Sequence, residues 1–185
     1  MATSNFLVQN GLTVQGDITS TGNIALSAVS SNLVPTTSNL YSLGSTVSWW
    51  NKIYGVSVTA QYADLAENYV ADTTYESGTV LDFGGEFEVT LSSTVDSKKV
   101  AGVVSTNPAY LMNSTQPGEF IASIALQGRV PTKVVGPVVK GDLMVSNGQG
   151  MARAEENPAV GTVIGKALEN FVGDIGVIEV VVGKH

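Results

Sequence analysis

The distribution of charge along this chain constrains its fold more than any other feature. Only two formal charges, Asp17 and Lys52, fall in the first 62 residues, whereas charged residues recur throughout residues 63–185. The leading segment is rich in Ser, Thr, Asn, Gly and β-branched residues, and such a segment neither solvates itself like a charged tail nor supplies a sizeable core. Its apolar positions therefore need another surface to cover them, and identical copies of the segment are the simplest candidate.

The composition indicates one ordinary domain plus an extension. With 43% apolar residues over 185 positions, we expect a single core, in the second segment. The net charge of −7 and the scattered Lys and Arg residues argue against nucleic acid as a partner, because phosphate binding needs a concentrated basic patch. No apolar run approaches the length of a membrane span and no basic leader precedes one, so we expect a soluble chain without membrane insertion.

The leading segment predicts an extended stem. Short extended pieces run from Phe6 to Ile24, and glycines separate them at intervals of five to six residues. A ribbon this thin is marginal in water by itself. We therefore predict a homotrimer in which three copies meet at an axis, each contributing Leu12, Val14 and Ile18 to a shared apolar column.

Four aromatic rings fall within 14 residues, from Tyr41 to Tyr54. Because aromatic rings bury large areas and anchor interfaces, we predict an interface at the junction of stem and domain, formed by Leu43, Trp49, Trp50, Ile53 and Tyr54. A carbohydrate platform on the two tryptophans is the alternative, and packing is the favoured interpretation.

The second segment predicts recurring strands. Residues 78–83 and 87–91 are extended runs bridged by Gly84-Gly85, which predicts a hairpin. Further strands are predicted at 100–104, 120–126, 130–135, 142–145, 162–166 and 175–182, with prolines 131, 137 and 158 at run ends. One helix is predicted over 59–69, because Tyr62, Leu65, Ala66 and Tyr69 have the spacing of one helix face.

These patterns predict an all-β chain with two parts. Residues 1–62 form an extended trimeric β stem for trimerisation and attachment, and residues 63–185 form a compact β-sandwich or barrel-like domain.

Two groups of motifs resemble bacteriophage proteins. The stretch LYSLGSTVSWWNKIYG, residues 40–55, resembles an element common in phage tail fibres. The blocks YADLAENY, VAGVVSTNPAYLMN, ALQGRVPTKVVGPVVKGDLMVS and GTVIGKALE resemble, in this order, a carboxy-terminal domain of virion structural proteins, notably of cyanophages. They are also similar to the self-cleaving intramolecular chaperone domain of some phage appendage proteins.

The resemblance implies a virion fibre subunit, assembled in the host cytoplasm, that is not an enzyme. Its partners would be other tail, baseplate or neck proteins and, for adhesion, a host-surface glycan. The alternative that it implies is a self-cleaving chaperone that promotes trimerisation, with Asp64 and Glu67 matching the acidic pair of that family. On the predicted helix these carboxylates share a face and could assist peptide hydrolysis, although solvation or capping of the turn is the favoured interpretation. A glycan-degrading spike is a third and weaker alternative, because the chain is short for a solenoid.

Other chemistry is sparse in this sequence. There is no Cys, and the single His is His185, so no Ser-His-Asp or Cys-His site and no metal or other cofactor is expected. The run Gly161–Ala167 is one residue short of a phosphate-binding loop and has Ala where the hydroxyl must stand. Arg129 is expected to form a structural ion pair, with Glu119, Glu169 and Asp142 as open alternatives.

Overall fold

A computed structural model describes Gln15, Thr21 and residues 32–183. The chain divides into two units, residues 1–54 and 55–185. In the first unit, the described residues 32–54 contain turns and bends. A tight turn is closed by two backbone hydrogen bonds between Ser45 and Ser48 and is preceded by Gly44 at a φ of 91°. The predicted extended pieces from Phe6 to Ile24 lie outside the described residues, apart from Gln15 and Thr21.

The second unit is all-β, as the sequence predicts. Its described residues form ten strands and no helix: β1 (Asp64–Val70), β2 (Val80–Phe83), β3 (Val89–Leu91), β4 (Val100–Val104), β5 (Tyr110–Met112), β6 (Ile121–Val135), β7 (Leu143–Ser146), β8 (Ala152–Ala154), β9 (Val163–Ala167) and β10 (Ile175–Val182). The predicted Gly-Gly hairpin is confirmed, since β2 and β3 pair antiparallel.

Five of these strands close into a barrel-like ring. β6 pairs with β10, and the ring continues through β9, β7 and β8 back to β6. The strands place alternate side chains on the inside, and an apolar cluster fills it, with Val130, Val134, Met144, Ile164 and Val180 among its buried members. This ring is the larger core of the domain.

A second core lies beside the first half of β6. There β6 pairs with β1 on one side and with β4 on the other, and β2 and β3 extend the sheet from β4. Leu81, Val89, Val104 and Ile124 are among the buried residues of this cluster. The 15-residue strand β6 therefore contributes to both cores.

The predicted helix over 59–69 is wrong. Residues 64–70 form β1, which pairs antiparallel with β6 from Asp64–Gly128 to Val70–Ile121 and parallel with β5. Burial alternates along β1, with Asp64, Ala66 and Asn68 buried and the residues between them partly exposed. Because two of the three inward residues are polar, the period of two is hidden in the sequence.

The prediction that Pro131 ends a strand is also wrong, because the runs 120–126 and 130–135 are parts of one strand. Pro131 lies within β6, opposite Glu179 of β10. On the other edge of β6 at this point, Lys133 N donates a hydrogen bond to the Gly78 carbonyl. A proline is tolerated here because no neighbouring strand requires its missing N–H donor.

Candidate functional site

A cleft of about 370 Å³ is the candidate site of the domain. Its walls come from four separate stretches of chain: residues 61–64 at the start of β1, residues 105–107 after β4, residues 129–131 of β6, and Glu179 of β10. Val130 and Pro131 provide apolar surface, and most other lining residues are polar. Such a mixture of apolar surface and convergent polar groups is typical of small-ligand sites.

Gly128 makes one wall of this cleft possible. It lies opposite Asp64 in the β1–β6 pairing and has a φ of 112°, a conformation that favours glycine. A Cβ added at Gly128 would collide with the carbonyl oxygen of Ala63 and lie 2.8 Å from the Asp64 Cα. Glycine is therefore required at this position if residues 63 and 64 are to cross β6 this closely.

Asp64 fixes the same wall to the loop after β4. Its side chain is buried, with 5% of the residue exposed, and its Oδ2 accepts a hydrogen bond from Ser105 Oγ at 2.5 Å. The Asp64 carbonyl also accepts a hydrogen bond from Ala109 N at 2.9 Å. Hydrogen bonds to a charged carboxylate are stronger than neutral ones. Asp64 therefore connects the start of β1 to the loop between β4 and β5.

Asp64 and Glu67 do not share a face, so this expectation from the sequence is wrong. On a strand, positions an odd number of residues apart point to opposite sides, and the alternating burial of β1 agrees with this. Glu67 lies on the other side, where its Oε2 accepts a hydrogen bond from the Tyr69 hydroxyl at 2.8 Å. Self-cleavage by these carboxylates stays a prediction, but it cannot use the shared helical face on which it was based.

Glu67 contributes to a raised pKa of its hydrogen-bond partner, Tyr69. Burial, as the largest cause, acts together with the hydrogen bond to Glu67 and the charges of Glu67 and Glu88 to raise the pKa of Tyr69 to about 12. The Tyr69 ring also packs edge-on against Phe83, with ring centroids 5.5 Å apart. This cluster is a packed polar contact on the face of β1 opposite the cleft.

Arg129 lines the cleft without the expected ion pair. The salt bridges among the described residues join Lys133 to Glu76, and Arg153 to Asp96 and Glu155. The prediction that Arg129 pairs with Glu119, Glu169 or Asp142 is therefore wrong. Arg129 lies opposite Val181, and Glu179 lies opposite Pro131, so the two charged residues are diagonal neighbours on one face of the sheet.

Several polar residues of this cleft cannot be picked out from the sequence alone, among them Ser105, Asn107 and Glu179. Ser105 and Asn107 belong to the run Ser-Thr-Asn-Pro directly after a buried strand, and this turn composition could have indicated a loop at a strand end. Glu179 is the only charged residue in the apolar run 175–182. A single charge within such a run is a signal that its position faces outward.

The predicted interface residues of the junction are exposed in this single chain. Leu43, Trp49, Trp50, Ile53 and Tyr54 each keep more than half of their surface accessible. The predicted stem residues Leu12, Val14 and Ile18 lie outside the described residues. Trp49 and Trp50 are 63% and 61% exposed, so the packing of these two residues stays a prediction.

Among residues 15, 21 and 32–183, no group of three or more His, Cys, Asp or Glu residues is arranged to hold a metal ion. The same described residues contain no helix with the length and apolarity needed to cross a membrane.

No model of a protein family matches the sequence, and no curated protein matches it.

Proposed function

We propose that this chain is the subunit of a bacteriophage virion fibre of the tail-fibre type. It acts as a homotrimer: the leading segment assembles three copies and joins other virion proteins, and the β-rich domain adheres to the host surface. The tail-fibre-like motif at residues 40–55 and the ordered blocks of the second segment support this assignment.

The exposure of apolar side chains between Leu33 and Val58 carries the proposal. Twelve large apolar residues in this stretch are 61% to 107% exposed, and all described residues from 33 to 63 are exposed. A stretch this apolar is unfavourable in water unless it meets another surface. The near absence of charge makes a like surface, that of a second and third copy, the best match.

The magnitude of burial supports assembly through the whole stretch rather than through one contact. Fully burying an apolar side chain contributes about 1.5–3 kcal/mol, so the five junction residues supply on the order of 10 kcal/mol per copy. Association itself costs roughly 4–15 kcal/mol in lost translational and rotational freedom. The junction alone therefore roughly balances that cost, and the remaining apolar residues must contribute to make the trimer stable.

Light scattering coupled to size-exclusion chromatography tests the trimer. At micromolar concentration the wild-type chain is expected at three times its 19.2 kDa mass. Replacing Trp49 and Trp50 together by Ser is expected to lower the trimer fraction. The matched control is Tyr110→Ser, which alters an exposed aromatic residue on β5. A monomeric wild type would refute the proposed assembly. Electron microscopy of virions that carry a tag on this chain tests a separate point, the location of the chain in the particle.

A further inference from the structure

The cleft contains polar side chains whose hydrogen-bonding capacity is unused. Asp64 is its only charged side chain with a hydrogen-bond partner among the described residues, namely Ser105. Arg129, Glu179 and Asn107 have no side-chain partner within the described part of the chain. Together they offer donors and acceptors that converge on one volume of about 370 Å³.

The charges of the cleft select against a charged ligand. The Asp64 carboxylate is buried and already accepts a hydrogen bond from Ser105, so the charges that face a ligand are one guanidinium, on Arg129, and one carboxylate, on Glu179. An anion such as phosphate would be attracted by Arg129 but repelled by Glu179, and a cation would meet the reverse arrangement. A neutral ligand with many hydrogen-bonding groups avoids both penalties.

The apolar lining adds a second requirement. Tyr62 is 45% exposed and lines the cleft together with Val130 and Pro131. The ligand therefore needs an apolar face as well as hydroxyl groups, which both donate and accept hydrogen bonds. A sugar ring has both features, because its C–H groups form an apolar face and its hydroxyls project around the edge. The volume is at the small end of ligand sites, which suits one or two rings.

We propose that this cleft binds a neutral saccharide. Tyr62 and Pro131 contact the apolar face of the sugar, while Arg129, Glu179 and Asn107 exchange hydrogen bonds with its hydroxyls. The inference deepens the adhesive part of the proposed function and rests on it for the source of the ligand, a glycan of the host surface.

Saturation-transfer NMR on the full-length chain tests this site. The neutral probes are maltose, lactose and N,N′-diacetylchitobiose, and the charged probes are glucuronic acid and glucosamine. We expect saturable binding of at least one neutral disaccharide and weaker binding of both charged sugars. Binding of none of the neutral probes would overturn the proposal, as would tighter binding of a charged one.

Variants assign the binding to the cleft. Tyr62→Ala and Asn107→Ala change exposed residues of the cleft and should each weaken the binding of the best probe by about tenfold or more. Tyr110→Ala, an exposed tyrosine outside the cleft, should leave it unchanged. Equal weakening by Tyr110→Ala would overturn the assignment. A change of oligomeric mass in Tyr62→Ala with unchanged sugar affinity would also overturn it, since the cleft would then be a subunit contact.

The oligomeric mass separates this inference from the proposed function. A wild-type trimer that binds none of the neutral sugars refutes the saccharide site and agrees with the proposed trimeric fibre. A wild-type monomer that binds a neutral sugar through Tyr62 refutes the trimeric fibre and agrees with the proposed saccharide site.

Discussion

Gly128→Ala is expected to destabilise the domain far more than the same change at another glycine of positive φ. Gly128 and Gly141 have φ values of 112° and 98°, so an alanine pays a similar backbone cost at both, about 1–3 kcal/mol. A Cβ on Gly141 meets nothing within 4 Å, whereas one on Gly128 meets the backbone of Ala63 and Asp64. Gly141→Ala is therefore the matched control: the backbone conformation is similar at the two positions, and only Gly128 lies close to another stretch of backbone.

The additional cost at Gly128 follows from what the collision displaces. Moving Ala63 and Asp64 away from β6 breaks the end of the β1–β6 ladder and the buried Asp64–Ser105 hydrogen bond. A typical intramolecular hydrogen bond contributes about 1 kcal/mol, and a buried partner left unpaired costs about 1–3 kcal/mol. We therefore expect Gly128→Ala to lower the free energy of unfolding by about 2–4 kcal/mol more than Gly141→Ala.

Urea denaturation followed by far-UV circular dichroism measures this difference. With a urea dependence of about 1–3 kcal/mol per molar, the midpoint of Gly128→Ala should lie roughly 1–2 M below that of Gly141→Ala. Far-UV dichroism reports the strands, whereas fluorescence would report Trp49 and Trp50, which precede the domain. Equal midpoints for the two variants would refute the idea that the close crossing of β1 and β6 requires glycine.

Three further predictions concern carboxylates. The hydrogen bond from Tyr75 lowers the pKa of Asp72, so the contribution of the Asp72 carboxylate to stability is present above the ordinary aspartate value of about 4 and is lost as pH falls through the lowered folded value. The urea midpoint of the wild type should therefore exceed that of Asp72→Asn at neutral pH, and this difference should disappear on acidification. A difference that stays constant with pH would contradict the prediction. Glu67→Gln should lower the pKa of Tyr69 from about 12 toward, but not to, 10, because burial remains; an absorbance titration of tyrosinate checks it, and no shift would refute the contact. Mass spectrometry of fresh protein tests self-cleavage: a fragment lost from wild type but retained in Asp64→Ala supports it, and an intact wild type rejects it.

The strands that could be predicted from sequence are those with long apolar runs. The predicted bounds 175–182 and 100–104 agree with β10 and β4, because each run is bounded by polar residues or glycine. The sequence does not predict β5 and β8, because each has only three residues and carries too little periodicity; β3 is equally short, but the Gly84-Gly85 turn before it indicates a hairpin.

The candidate site was less accessible to sequence reasoning than the fold. The sequence identifies Asp64 and Arg129 as candidate functional residues, but nothing in their spacing places them in one cleft. That proximity follows from the pairing of β1 with β6 and of β6 with β10, which are contacts between distant parts of the sequence. Local patterns specify strands, whereas a site built from four stretches depends on how the strands pair.

The double role of β6 has a consequence for how the domain folds. Its first half is paired by β1, which precedes it by about 50 residues, and its second half is paired by β10, which follows it by about 40. Contacts this distant in sequence make folding slow, because loops must close before the pairing energy is gained. During synthesis the second half of β6 has no β10 partner until residues 175–182 leave the ribosome, so a nascent chain would expose an unpaired apolar edge for that interval.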